Sequence, residues 1–359
     1  MPVQARGARV VDAHLPRAVA PAGRAAGQGR GHARRGPAGV QPVPAGPARV
    51  LAYYLWSIDA ALARDQQALA QLVDDLQVCP LGAGAGAGTD FPIRPQVTAA
   101  WLGFSASHRS ALDAVASRDL ALRLLGAWAV CSTNLSRLAQ DLQLWTMADV
   151  GLFTLPDELA GGSSLMPQKK NPYLLEIVKG KLVALPSALG FALHAMQKTP
   201  FSNAIEVGTE GVSQCGSSAT ALADSCDLLR LMIEGLSPRP GRGEALARRG
   251  VVVATQVANA LVRAGQMTFH EAHRAVGSRI AGALDVGGDP LAGLAGLTQE
   301  TFDDVGAAAR ALRHGGGPGV VGEQLGEAFL SCGEAPTSFT DGARSGASRS
   351  ADAARRSRP

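Results

Sequence analysis

The chain predicts an all-α fold: an elongated helical bundle followed by a small helical C-terminal domain. Three observations predict it. Leu55, Leu62, Leu69 and Leu76 recur every seven residues, and Leu51, Ile58 and Leu72 fill the seam between them. From Leu124 through Trp128, Cys131, Leu135, Leu138 and Leu142 to Trp145, apolar residues alternate spacings of four and three. No segment shows the period-two alternation of a half-buried strand.

The elements follow in order. Ala, Arg, Gly and Pro make up 35 of the first 50 residues, a composition that buries too little surface to offset the entropy of ordering. Three readings fit residues 1–46: a disordered segment, an Arg-rich and acid-poor transit peptide, or translation in a shifted frame or from a wrong start. The abrupt change to well-formed helix near Val50 favours the last. The first long helix then runs to Cys79 and Pro80, with Asp65 the one break in its seam, and a Gly-rich loop covers 81–89. The second long helix spans about 119–147. A third starts near Pro172, a residue well tolerated in a first helical turn, and Pro186 should bend it. The fourth spans about 205–236. Residues 238–243 read as a linker, and shorter helices follow at 244–264 and 268–283. The expected domains are therefore 47–238 for the bundle and 239–330 for the C-terminal part. Residues 315–319 and the tail 331–359 read as disordered.

Composition bounds the function classes. Hydrophobic residues make up 46% of the 359, enough for a sizeable core and two or three domains. No apolar run approaches a membrane span. The net charge of +4 is uneven: eight arginines and a single acid, Asp12, fall within residues 1–50, so the charge gives no reason to infer nucleic-acid binding. The five cysteines (Cys79, Cys131, Cys215, Cys226, Cys332) form no CxxC pair. Their odd number and wide spacing argue against a disulfide framework or a zinc site and for a reducing cytoplasm. All five lysines, Lys169, Lys170, Lys179, Lys181 and Lys198, fall in one thirty-residue window. In a chain otherwise rich in arginine, lysines kept there are read as places where a compact ammonium is needed instead of a planar guanidinium; coincidence on a surface helix is the bland alternative.

That window opens within the run Gly161-Gly-Ser-Ser-Leu-Met-Pro-Gln-Lys-Lys-Asn-Pro172. Glycines give it a mobile backbone, serines supply hydroxyls, and Lys169 and Asn171 supply a charge and an amide. The N-terminus of the next helix adds unpaired N–H groups and a positive dipole end. A substrate carboxylate, or the dianion developing from it, would be stabilised there.

GSSLMPQKKNP resembles the signature loop of the fumarase/aspartase superfamily, GSSxMPxKxNP, and its QKKN variant resembles that of the argininosuccinate lyase family. Further segments are similar to that family: PLGAGAGAGTDFPI at 80–93, ALDAVASRD at 111–119, NLSRLAQDLQLW at 134–145 and ATQVANALVRAGQMTFHEAHRAVG at 254–277. The resemblance runs from residue 47 to about residue 285. It implies β-elimination releasing fumarate from an N-succinyl amino acid, without metal or organic cofactor. Ser163 would be the general base that removes a proton beside a carboxylate. Lys169 and Asn171 would hold that carboxylate, and Glu176 would orient a histidine that protonates the leaving nitrogen. Ser164, Met166, Gln168, Thr89 and Arg118 would bind substrate, although a plain interhelical ion pair accounts equally well for Arg118. The resemblance also implies a homotetramer with sites shared between subunits.

Three departures stand out. The histidine-bearing segment expected just before the first long helix is replaced by GVQPVPAGP at 39–47, which has no histidine. The family's N-terminal substrate loop is absent. The window FSNAIEVGTEG at 201–211 lacks the tyrosine, glutamine and lysine that would grip a guanidino group; Asn203 and Glu206 either contact a different leaving group or are solvated loop residues. The alternatives to an argininosuccinate lyase are therefore a paralogous lyase on another N-substituted aspartate and a non-catalytic bundle protein. His270 and His273 sit three apart with no third ligand evident, and His108 and His194 are isolated, so all four are read as structural. The run GAGAGAG at 82–88 follows a helix, not a strand, which argues against a phosphate cradle.

Overall fold

The computed structural model describes residues 49–297, apart from 164, 167 and 295, together with the pair Ala38–Gly39. The readings of residues 1–46 and 331–359, the run 315–319, the side chain of Leu51 and the whole of Ser164 lie outside the described residues.

Helix α1 (Leu51–Asp75) carries the leucine seam. Leu62 and Leu69 are buried, and Leu55, Ile58, Leu72 and Leu76 are half-buried. The helix ends earlier than Pro80, because Val78–Cys79 (β3) leaves to pair in parallel with Ala106–Ser107 (β4). The Gly-rich run therefore follows a two-residue strand, contrary to the sequence reading, and it leads into an irregular stretch and not into a helix. Two more pairings are equally short: Ala38–Gly39 (β1) with Arg49–Val50 (β2), and Phe153–Thr154 (β5) with Ser237–Pro238 (β6). Strands of two residues cannot display an alternation, and the fold is all-α.

After the short helices α2 (Pro95–Trp101) and α3 (Ala111–Ala116) comes α4 (Asp119–Thr146), the axis of the bundle. Its buried ladder runs through Trp128, Cys131, Leu135, Leu138, Leu142 and Trp145 as the spacing predicts. At its N-terminal end Leu125 is buried and Leu124 only half-buried. A straight helix drifts about 20° per heptad against a strict 3.5-residue repeat, so the buried position moves on by one residue over a long helix. Helix α4 packs against α1, against α5 (Tyr173–Leu182), α6 (Ala184–Met196) and α7 (Cys215–Gly235). Their apolar faces form one core, and each leucine fully buried there contributes about 1.5–3 kcal/mol.

Two helix boundaries differ from the sequence reading. The third helix is divided at Val183, whose backbone stays right-handed helical at φ −61 and ψ −27, just ahead of Pro186: the proline nitrogen has no hydrogen for the Leu182 carbonyl, and its ring crowds that oxygen. The fourth helix is helical from Ile205 but not continuous. A π-helical turn, Glu206–Glu210, comes first, and α7 starts only at Cys215. Gly208 and Gly211 fall in this stretch, and glycine costs a regular helix about 1 kcal/mol against alanine.

Beyond the bundle, the segment read as one helix over 244–264 is two, α8 (Arg242–Arg249) and α9 (Ala254–Arg263). The break falls at Gly250 and three consecutive valines, with Val251 at φ 48; β-branched side chains stiffen the backbone against a helical turn. Helix α10 (Phe269–Asp285) opens on a capping box, in which the Thr268 hydroxyl accepts from the Glu271 N–H while the Glu271 carboxylate accepts from the Thr268 N–H. A second, separate core gathers Val251, Val257, Leu261, Ala272, Val276 and Leu294. The stretch expected to be a linker is tied down: Arg239 N–H donates to the Leu152 carbonyl at 2.9 Å, and Arg242 Nε to the Val150 carbonyl at 2.7 Å.

No described helix is long and apolar enough to cross a membrane. Cys79, Cys131, Cys215 and Cys226 are free and buried. Burial pushes the Cys226 thiol up to about 12, and raises Cys131 and Cys215 as well, which leaves these thiols inert.

Asp59 on α1 borders a cleft walled by Leu55, Leu62, Leu135, Leu229 and Arg230. Burial pushes its carboxyl above the ordinary carboxylate range. The native state therefore holds this proton at pH values where the unfolded chain has released it, and stability falls as pH rises from the ordinary aspartate value through the raised one. Asp59→Asn is expected to raise the melting temperature at neutral pH and to give no gain below the ordinary carboxylate range. Thermal melts at both pH values check this.

Candidate active site

The glycine-rich loop between α4 and α5 is closed at its neck by a single antiparallel bridge. Gly161 N–H donates to the Asn171 carbonyl and Asn171 N–H to the Gly161 carbonyl, both at 2.8 Å. Gly161 has to be glycine here, because a Cβ would lie 2.9 Å from the Cβ of Tyr173, the first residue of α5. The neck thus hands the chain directly to the helix that carries Glu176.

Inside the neck the loop winds on Ser163. The Ser163 hydroxyl oxygen accepts the backbone N–H of Leu165 at 3.3 Å and of Met166 at 3.1 Å. Lys169 N–H closes the next turn onto the Met166 carbonyl at 3.0 Å. Ser163 and Asn171 are half-buried, whereas Gln168 and Lys169 are exposed. Leu165, 86% exposed, and Met166, 39% exposed, present apolar surface at the loop's tip. Two backbone donors on one hydroxyl oxygen favour its deprotonated form, since an alkoxide accepts hydrogen bonds more strongly than a hydroxyl.

The two loop lysines have different surroundings. Lys170 pairs with Asp157, on the 3₁₀ turn Asp157–Leu159. Lys169 has no carboxylate partner among the described residues, so its charge is available to an anion. Glu176 lies in the exposed first turn of α5, where a negative charge complements the helix dipole. Its Oε1 accepts from Gln143 Nε2 at 3.2 Å.

The remaining candidates are more scattered. Arg118, half-buried just ahead of α4, makes no ion pair among the described residues. Its Nη1 donates to the carbonyls of Val115 at 2.9 Å and Ser117 at 2.6 Å. Its Nη2 approaches the π-helical turn at Gly208, where an added Cβ would come within 3.9 Å. Arg118 therefore lies near the turn that carries Glu206, with no hydrogen bond or ion pair between them among the described residues. Asn203 is exposed. Thr89 is exposed in a turn, where its Oγ1 accepts from the Phe91 N–H at 3.2 Å. Among the described residues, no hydrogen bond joins Thr89 or Asn203 to the loop.

Residues 43–186, which span α1, α4 and the loop, match a family model described as a lyase. The chain is also 38% identical over 255 residues to the argininosuccinate lyase of Halorhodospira halophila (strain DSM 244 / SL1). The chain is similar to this lyase family over these stretches. The match covers 69% of this chain and 52% of that relative, so the chain spans about half the length of the curated enzyme. Solved structures show the same lyase fold. An EDDS lyase in complex with formate superposes with a TM-score of 0.76 at 23% identity, over 91% of this chain and 68% of that one. The class II fumarase of Schistosoma mansoni gives 0.62 at 13% identity, over 81% and 64%.

The sequence singles out Lys179 among the clustered lysines but gives no sign of Gln143 beside Glu176. Gln143 and Lys179 come from α4 and α5 and meet only because those helices pack. A glutamine flanking an apolar ladder carries no signal of its own. Only the register between the two helices reveals it.

Proposed function

We propose that the protein is a carbon–nitrogen lyase of the argininosuccinate lyase type, which releases fumarate from an N-substituted aspartate by β-elimination. The observation that carries this reading is the Ser163 hydroxyl oxygen, held by two backbone N–H groups within a loop whose Lys169 ammonium has no described counter-ion. Ser163 takes the proton from the carbon beside a substrate carboxylate. Lys169 and Asn171 stabilise the charge that builds on that carboxylate, and it returns to form the C=C bond as the C–N bond breaks. The leaving nitrogen takes a proton from an acid oriented by Glu176, and the products are fumarate and an amine. Ser164, Met166, Gln168 and Thr89 line the substrate in this reading. No metal or organic cofactor enters it.

The test is direct. Purified full-length chain incubated with argininosuccinate and with other N-substituted aspartates should produce the ultraviolet absorbance of fumarate. Absence of that signal with every substrate overturns the reading.

One observation favours a leaving group other than arginine. The 201–211 window lacks the expected tyrosine, glutamine and lysine, and it folds as a π-helical turn carrying Glu206 and Glu210 beside Arg118. A site without the polar partners for a guanidino group discriminates poorly in its favour. The expected result is a kcat/KM on argininosuccinate below that on a diamine- or amino-acid-substituted aspartate.

The reading places the enzyme in the cytoplasm as a homotetramer, with 47–238 as the shared bundle and 239–330 as the C-terminal domain. Val130 on α4 and Phe191 and Leu193 on α6 are exposed apolar residues of the bundle, suited to helix–helix association. Sedimentation equilibrium is expected to give four times the 36.8 kDa chain mass; a monomeric mass would remove this part of the proposal.

A further inference from the structure

We infer that Gln143 is a positioning residue for Glu176: it stands between Glu176 and Lys179 and keeps the ammonium from neutralising the carboxylate. The inference rests on the lyase reading in which Glu176 orients the acid that serves the leaving nitrogen.

Glu176 and Lys179 lie three residues apart in α5, with the acid on the N-terminal side. At that spacing a carboxylate and an ammonium ordinarily pair directly. Here no ion pair joins them among the described residues. Gln143, half-buried on α4, reaches between them instead. Its Nε2 donates to Glu176 Oε1 at 3.2 Å, and its Oε1 accepts from Lys179 Nζ. Lys179 donates also to Gln140 Oε1 at 2.8 Å, one turn earlier on α4. The orientation of the Gln143 amide follows from chemistry. An ammonium only donates, so the amide oxygen must face Lys179 and the NH2 must face the carboxylate.

The helix pair holds this arrangement in place. Leu142, beside Gln143, is 1% exposed, and Leu175, beside Glu176, is 0% exposed, so neither backbone can slide without opening the core. A neutral donor orients a carboxylate without cancelling its charge, whereas a direct ion pair does both. Gln143 thus fixes one oxygen of Glu176 and leaves the other, with its charge, for the proton donor. Gln140 and Gln143 together give Lys179 two neutral acceptors away from the acid.

Gln143→Leu removes the spacer and lets Lys179 fall onto Glu176. The expected effect is about a tenfold loss in kcat with KM changed by less than about twofold, because the loss lies in proton delivery and not in binding. Lys179→Met alone should lose at most about threefold, and the double variant Gln143→Leu/Lys179→Met should recover most of the kcat lost in Gln143→Leu. A merely structural role for Gln143 predicts the reverse, a double variant at least as impaired as the single one, and that result overturns the inference. A second readout needs no activity. The side-chain amide protons of Gln143, observed by NMR in glutamine-labelled protein, should move upfield in Glu176→Gln as a charge-assisted hydrogen bond is lost. Unmoved resonances overturn the inference. If the wild type releases no fumarate from any N-substituted aspartate, the lyase reading fails, and the amide resonances still decide where Gln143 sits.

Discussion

Ser163→Ala is expected to lower kcat for fumarate release by about 10³-fold, within the usual contribution of a general base, and to leave oligomer size and helix content unchanged. A serine hydroxyl is too weak a base to act without help. In this loop the help is visible: N–H groups of Leu165 and Met166 point at its oxygen from 3.3 and 3.1 Å, and Lys169, without a carboxylate partner among the described residues, adds a positive charge close by in sequence. Both donors stabilise negative charge on that oxygen more than they stabilise the neutral hydroxyl. The alanine variant removes the oxygen and leaves those N–H groups to water. Leu165 is 86% exposed, so solvent reaches the turn and folding pays no buried-donor penalty. Steady-state kinetics on the best N-substituted aspartate, with sedimentation and far-ultraviolet circular dichroism as controls, measure the effect. An alanine variant with near-wild-type kcat would show that another group removes the proton.

What the sequence showed and what it hid differ for physical reasons. The seam of α1 and the ladder of α4 were legible because each is a periodic signal within one segment. The loop was legible as a connection between two helices because its glycines, serines and prolines are consecutive. The family expectation drawn from that loop agrees with the match over residues 43–186. Boundaries were less legible. The break at Val183 precedes the proline that causes it, because the missing hydrogen bond belongs to the preceding turn. The π-helical turn at Glu206–Glu210 has no periodicity signal separate from an ordinary helix. Contacts between segments were hidden altogether. Arg118 lies ninety residues before Gly208 in the chain yet beside it in space, and Gln143 meets Glu176 only across a helix–helix interface.

Asp65 is the instructive case, because the sequence marked it as a break in an apolar seam without giving it a partner. In the structure it is 8% exposed, and Asn134 Nδ2, on α4, donates to its carboxylate at 2.8 Å. Asn134→Leu is expected to destabilise the protein by about 3 kcal/mol or more, since it strands a buried carboxylate without its donor. Asp65→Leu/Asn134→Leu should recover that loss and equal or exceed the wild type, because two leucines of suitable shape complete the seam and remove the desolvation penalty. Such a result would assign the pair to register and not to stability. A slip of α1 along α4 would face Asp65 with leucine, a mismatch that a uniform apolar seam cannot impose. The Tyr54 hydroxyl, which donates to Asp141 at 2.5 Å, is a second lock farther along the same interface. Urea denaturation of the three variants measures the effect. A single variant as stable as wild type would mean that water already reaches Asp65 and that the seam is open there.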